Sequence, residues 1–132
     1  MFRSISIALA AAAAVALAAC GSESQPSVEP GTAKVQVERA AHVTLAADAV
    51  PADAREDGMR ASFSNSATAA KDKQAVALFV MKDAEVADEV SDRLRATGPK
   101  SARLMVNGPV MVMYAAAGND RSAAVQRAVD AL

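Results

Sequence analysis

The sequence predicts an α+β domain in which a small antiparallel or mixed sheet carries two helices on one face, in the order β-α-β-β-α over residues 74–132. Three observations predict this class. Residues 75–81 (AVALFVM) are seven consecutive apolar residues, which is typical of a central strand buried on both faces. Two later segments carry apolar residues at the spacing of an amphipathic helix. A turn sequence, Asn107-Gly108-Pro109, separates two further apolar runs and predicts a β-hairpin.

The two helices have clear starts and apolar stripes. Asp83 is the expected N-cap of the first, which runs over about 84–96, and its stripe consists of Val86, Val90 and Leu94. The second is predicted over 121–132, with a stripe of Val125, Val129 and Leu132. A right-handed crossover then gives the strand order first, third, second. This arrangement resembles a ferredoxin-like fold that lacks its last strand.

The register of the hairpin decides which side chains share a face. A two-residue Asn-Gly turn would require an N–H from Pro109, which has none, so we expect a three-residue loop with Val106 opposite Val110. Alternation along the strands then places a mainly apolar set of side chains on the sheet face that points away from the helices. That face, the predicted methionine surface, would consist of Phe79, Met81, Arg103, Met105, Met111 and Met113.

Three candidates could cover the predicted methionine surface. The first is the chain's own middle third, whose available apolar residues are Phe63, Leu45, Val43 and Met59. The second is another copy of the chain, packed sheet against sheet. The third is a ligand or protein partner, because methionine side chains adapt to varied shapes.

The segment 35–73 has weaker patterns. Val35–Glu38 alternates and His42–Leu45 has strand-like residues, so one of them is expected to form an edge strand. Pro51–Asp57 predicts a short helix that ends before Gly58, and Ser62–Lys73 predicts a loop.

Residues 1–19 have the features of a secretory signal peptide. Met1–Arg3 is a short positive start, and 5–17 is an apolar run too short to span a bilayer permanently. Leu17-Ala18-Ala19-Cys20 follows, and Cys20 is the only cysteine of the chain. This sequence resembles the lipobox of bacterial lipoproteins. The resemblance implies cleavage before Cys20 and attachment of a diacylglyceryl group to its sulfur, often with a further acyl chain such as palmitate on the new amino group.

We expect a lipidated, flexible tether over 20–34, since 21–32 (GSESQPSVEPGT) is too polar to fold against a core. The protein would then sit at the cell membrane, facing the extracytoplasmic side, with Cys20 as its membrane contact. A second copy or another envelope protein is the further partner expected. In its signal, alanine content and β-α-β-β-α tail the chain is similar to small envelope lipoproteins of high-GC actinobacteria.

Composition and motifs exclude several functions. The 132 residues carry a net charge of −1, which provides no basic face for nucleic acid, and one cysteine cannot form an internal disulfide or a cysteine-based zinc site. His42 is the only imidazole, and no nucleophile or phosphate-loop motif accompanies it. We therefore expect a non-enzymatic binding or accessory module without a cofactor. The alternative is a copper-handling lipoprotein that uses the thioethers of Met105, Met111 and Met113.

Overall fold

A computed structural model describes residues 28–132, and it confirms an α+β fold built on an open, antiparallel, five-stranded sheet. The predicted signal peptide, Cys20 and residues 20–27 of the predicted tether lie outside the described residues. The strand order is β1-β2-β3-β5-β4, so the predicted order of the last three strands is confirmed. In chain order the elements are α1 (Pro30–Ala41), β1 (Ala46–Asp48), α2 (Ala52–Glu56), β2 (Met59–Ser64), α3 (Ala69–Asp72), β3 (Gln74–Met81), α4 (Ala84–Thr97), β4 (Arg103–Asn107), β5 (Val110–Ala116) and α5 (Ser122–Asp130).

The main helices lie on both faces of the sheet, so the prediction of two helices on one face is wrong. On one face, a core cluster joins α1 and α5 to the strands through residues such as Val37, Leu78 and Val125. On the other face, a second cluster packs Val86, Val90 and Leu94 of α4 against the sheet. A strand that is apolar along its whole length has two faces to bury, and a helix layer on each side buries both.

The hairpin of β4 and β5 has a different register from the predicted one, so the expectation of a three-residue loop with Val106 opposite Val110 is wrong. Asn107 pairs with Val110 across a two-residue loop of Gly108 and Pro109. Gly108 has a φ of +56°, as the first central residue of a type II′ turn requires, and the proline ring supplies the negative φ of the second. The fourth residue of this turn is Val110, which has an N–H. The missing N–H of Pro109 therefore excludes only a turn in which Pro109 is the fourth residue, that is, a turn over residues 106–109.

The segment before β2 differs most from expectation. Pro30 lies in the first turn of α1, so residues 30–34 of the predicted tether and the predicted strand Val35–Glu38 are helical. Ala33, Val37 and Ala41 are buried at a four-residue spacing, whereas Val35 is 40% exposed. The helix ends at His42, whose left-handed φ of +57° turns the chain toward β1.

Two further predictions for this region have opposite outcomes. The short helix predicted over 51–57 is confirmed as α2, followed by Gly58 at a φ of +108°. The loop predicted over 62–73 is wrong at both ends, because β2 extends to Ser64 and α3 covers Ala69–Asp72. Among residues 28–132, no helix has the length and apolar character needed to cross a bilayer.

Candidate functional site

The predicted methionine surface is not an exposed patch. Met81, Met105 and Met111 are each at most 1% exposed, and Phe79 and Met113 are half-buried. The hairpin register puts Met105 beside Val112 in the cluster under α1 and α5, whereas Met111 lies in the cluster under α4. The face expected to be bare is the one that α4 covers.

This separation also argues against a common thioether site. Leu104 pairs with Met113 and Val106 with Met111, so Met111 and Met113 share a face that Met105 does not. The sheet backbone lies between them, and three ligands of one ion cannot be on both sides of it. Among residues 28–132, no three His, Asp or Glu side chains gather at metal-binding distance either.

Arg103 lies outside both methionine clusters. In the sheet it pairs with Tyr114, on the side that α5 covers. Its Nη1 lies 3.3 Å from the hydroxyl oxygen of Ser122, the first residue of α5. This contact places a cation beside the start of α5, away from Phe79 and Met81. Of the six residues expected to form one surface, three methionines are therefore divided between two cores, Met113 is half-buried, and the arginine lies beside α5.

A polar cleft of about 830 Å³ lies where the end of α1 meets the start of α5. Three separate segments of the chain build it. Its wall consists of His42 after α1, Lys71, Asp72 and Gln74 around the α3–β3 corner, Gly118, Asn119 and Asp120 before α5, and Arg121, Ala123, Ala124 and Arg127 of α5 and its N-cap. We call these residues the polar cleft.

A buried hydrogen-bond network holds the floor of the polar cleft. Gln74 is 4% exposed, and its amide nitrogen donates to the carbonyl oxygen of Ala41 at 2.8 Å. The hydroxyl of Tyr114 donates to Oε1 of Gln74 at 2.5 Å and accepts a hydrogen bond from the backbone N–H of Arg121 at 2.8 Å. These bonds join the end of α1, the start of β3, β5 and the start of α5, so the walls of the cleft have fixed relative positions.

The two acidic residues of the cleft are held by uncharged donors. Asp72 accepts hydrogen bonds from the Thr68 hydroxyl at 2.7 Å and from the Asn65 amide at 3.1 Å, and these bonds lower the pKa of the Asp72 carboxyl. Hydrogen bonds from the Ser122 hydroxyl and backbone amide lower the pKa of Asp120. Both groups stay ionised at neutral pH, with their oxygens engaged within the protein.

The cations of the cleft are not paired with those carboxylates. Over residues 28–132, a cationic nitrogen lies within 4.0 Å of a carboxylate oxygen only in the ion pairs Lys34–Glu38 and Arg95–Asp92. Lys71, Arg121 and Arg127 therefore form no ion pair in the described part of the chain, although the charge of Lys71 contributes to the lowered pKa of Asp72. Two more cations flank the cleft: Arg103 at Ser122, and Lys73, whose side chain runs beside Gly118.

Charge is unevenly distributed over the fold. Around the polar cleft there are five Lys and Arg residues against two acidic residues, although the chain as a whole has a net charge of −1. On the opposite face, α4 and its N-cap carry five acidic residues against two arginines (Asp83, Glu85, Asp88, Glu89 and Asp92; Arg93 and Arg95). The resulting field is positive at the cleft and negative at α4.

Sequence reasoning named only His42 and Arg103 among these residues, and neither for this role. The residues of the cleft are spread from 42 to 127 and follow no motif spacing. One signal was present: Gly118-Asn119-Asp120 precedes α5, and Asp120 accepts a hydrogen bond from the N–H of Ser122 at 2.9 Å.

The cleft has the chemistry of a binding site for an anionic group. It supplies free guanidinium and ammonium donors on a rigid floor. His42 is exposed there, with no hydroxyl or thiol nucleophile among the residues of the cleft. Comparison of the chain with protein families, with curated proteins and with solved structures finds no match in any of the three.

Proposed function

We propose that this chain is a lipid-anchored protein of the bacterial cell envelope and that its domain is a binding or accessory module rather than an enzyme. The observation that carries the proposal is in the sequence: Cys20, the only cysteine, directly follows Leu17-Ala18-Ala19 at the end of an apolar run. Small residues before a cysteine at this distance from a charged start are the pattern that lipoprotein processing requires.

The anchor itself follows from acyl chemistry. A diacylglyceryl group on the Cys20 sulfur places two acyl chains in the bilayer, and acylation of the new amino group adds a third. One acyl chain gives marginal membrane binding, whereas two or more give stable anchoring. The domain would then be held at the extracytoplasmic side of the cell membrane.

The arrangement of the domain supports a binding role. The ten residues 20–29 can span at most about 33–36 Å when extended, and they lead to the N-terminal end of α1. The polar cleft lies at the C-terminal end of α1, about 18 Å further along the helix. A module tethered at one end and carrying its cleft at the other suits recognition of a molecule outside the membrane.

Metabolic labelling with a radioactive fatty acid tests the anchor. The wild-type chain and a Ser22→Ala control should take up the label, and Cys20→Ala should take up none. Cys20→Ala should also accumulate at the size of the uncleaved chain. Label that persists in Cys20→Ala, or no label in the wild type, would contradict the proposal.

The macromolecular partner in this proposal is a second copy of the chain or another envelope protein. Light scattering of the detergent-solubilised mature chain measures self-association directly. A molecular mass that matches two copies indicates a homodimer. A mass that matches one copy indicates that the partner is a different protein or a small ligand.

A further inference from the structure

We propose that the polar cleft binds a small soluble molecule that carries several negative charges, with phosphate or carboxylate groups held by Arg121, Arg127 and Lys71. This inference concerns the cleft alone and does not depend on lipidation of Cys20. Only the argument for a soluble ligand rather than a lipid headgroup uses the position of the tether.

The first support is the free charge at the cleft. Three cationic side chains from two segments converge on one cavity, and none of them forms an ion pair among residues 28–132. Both carboxylates of the cleft were within reach of the same cavity, yet they bond to hydroxyl, amide and backbone donors instead. An anion could therefore contact the cations without displacing an existing ion pair.

The second support is the rigid floor. Gln74 is buried and lines the cavity, and the bonds from Tyr114 to Gln74 and from the Arg121 N–H to Tyr114 fix the start of α5 against the sheet. Binding at a preformed site loses less conformational entropy than binding at a mobile loop. The cavity of about 830 Å³ is in the range of small-molecule sites.

The third support is the charge distribution. Lys73 and Arg103 add positive potential at the rim of the cleft, while the acidic residues of α4 lie on the other face of the sheet. This asymmetry directs anions toward the cleft and away from the rest of the surface. Asp72 and Asp120 oppose anion binding, but the surrounding cations outnumber them, and donors on three separate cationic side chains suit a ligand with several anionic oxygens.

The position of the tether favours a soluble ligand. α1 and α5 run antiparallel, so the cleft lies at the end of this helix pair opposite Val28, where the tether joins the domain. An anchor at Cys20 would attach the membrane through that tethered end. The cleft lies at the opposite end of the helix pair, away from the point of attachment.

Calorimetric titration of the detergent-solubilised full-length mature chain with pyrophosphate tests the proposal. We expect one saturable site per chain. The double variant Arg121→Gln/Arg127→Gln should bind pyrophosphate at least about tenfold more weakly, because each arginine supplies a charge-assisted hydrogen bond. The control Arg93→Gln/Arg95→Gln removes the same charge from α4 and should bind as tightly as the wild type.

Additional measurements distinguish loss of the anion site from loss of folding, and a soluble ligand from a lipid headgroup. Thermal unfolding verifies that the variants are folded. If Arg121→Gln/Arg127→Gln does not fold, the single variant Lys71→Gln, on a different segment of the cleft, should weaken pyrophosphate binding several-fold. A soluble phosphodiester headgroup, glycerophosphoglycerol, should bind more weakly than pyrophosphate. The proposal is overturned by absence of saturable binding, by equal losses in the cleft and α4 variants, or by tighter binding of the headgroup, which would assign the cleft to lipid.

Discussion

The hydroxyl of Tyr114 lies 2.5 Å from Oε1 of Gln74, and both residues are at most 4% exposed. The same hydroxyl accepts the backbone N–H of Arg121 and lies 3.1 Å from the carbonyl oxygen of Asn119. One phenol oxygen thus holds the loop before α5 against the start of β3. This bond links the stability of the sheet to the shape of the polar cleft.

Removing that hydroxyl should destabilise the domain. Tyr114→Phe leaves the Gln74 acceptor and the Arg121 N–H without their partner, and an unsatisfied buried polar group costs about 1–3 kcal/mol. Urea unfolding measures the loss. Gln74→Met removes the acceptor from the other side, and the double variant should lose less than the sum of the two single losses. Additive losses would show that the two residues do not interact.

Asn107 should stabilise the C-terminal end of α5. Its Nδ2 lies 2.9 Å from the carbonyl oxygen of Val129, 3.3 Å from that of Asp130 and 3.2 Å from that of Leu132. Asn107→Ala removes these donors and should lower the free energy of unfolding by about 1–2 kcal/mol. Asn107→Asp should cost more, because it puts a negative charge at the negative end of the helix dipole.

The same substitution at an exposed asparagine is the control for Asn107. Asn119→Asp changes the charge equally, in the loop before α5 where a negative charge faces the positive helix end. Chemical denaturation should show little or no loss for it. If Asn119→Asp and Asn107→Asp destabilise the domain equally, the capping role of Asn107 is wrong.

Two glycines differ in φ and allow a matched comparison. A Cβ at Gly31 or at Gly108 would have no atom within 4 Å, but only Gly108 has a positive φ. Gly108→Ala should therefore destabilise the domain by about 1–2 kcal/mol through backbone strain. Gly31→Ala in α1 should be neutral or stabilising by up to about 1 kcal/mol. Melting temperatures that change by the same amount and sign in both variants would contradict the assigned hairpin register.

The buried methionines should behave as core residues. Met111 is fully buried under α4, so Met111→Ala should cost about 2–5 kcal/mol through the cavity that it leaves. Met113 lies on the same face but is half-buried, and Met113→Ala should cost less. Equal and small losses for both would indicate that α4 does not cover Met111.

Acid should weaken the α3–β3 corner. The hydrogen bond from Thr68, followed by that from Asn65, lowers the folded-state pKa of the Asp72 carboxyl below its ordinary value. A carboxyl whose pKa is lower in the folded state stabilises the domain at pH values above its unfolded-state pKa. That contribution is lost as the pH falls through the folded-state pKa. The stability difference between wild type and Asp72→Asn should be constant near neutral pH and should shrink as acid protonates the Asp72 carboxyl. Glu89→Gln, an exposed residue of α4, is the control, and an equal pH dependence there would contradict the role of Asp72.

The second half of the fold could be predicted because its signals are local. β3 is a continuous apolar run, and the side chain of Asp83 accepts the N–H of Val86 at 2.9 Å, as its position before α4 predicted. The wrong prediction was the placement of both helices on the same face of the sheet. An unbroken apolar strand requires cover on both faces, and that requirement already argued against placing both helices on one side.

The first half could not be predicted because its contacts are long-range and its core residues are small. Two of the three buried residues of α1 are alanines, which give little hydrophobic contrast, and the exposed Val35 imitates strand alternation. β2 contains only partly buried or exposed residues and depends on its partners β1 and β3. The polar cleft needs both halves, so no contiguous stretch of sequence could reveal it.

The antiparallel pairing of α1 and α5 has a practical consequence for handling the molecule. Val28 and Leu132 line the same shallow groove, so the start of the described chain and its last residue emerge side by side. A fluorescent protein or affinity tag appended after Leu132 would extend from the domain beside Val28, at the end of the helix pair away from Arg121. Reporters placed there should leave ligand access unobstructed, whereas an insertion between Ala117 and Asp120 would block it.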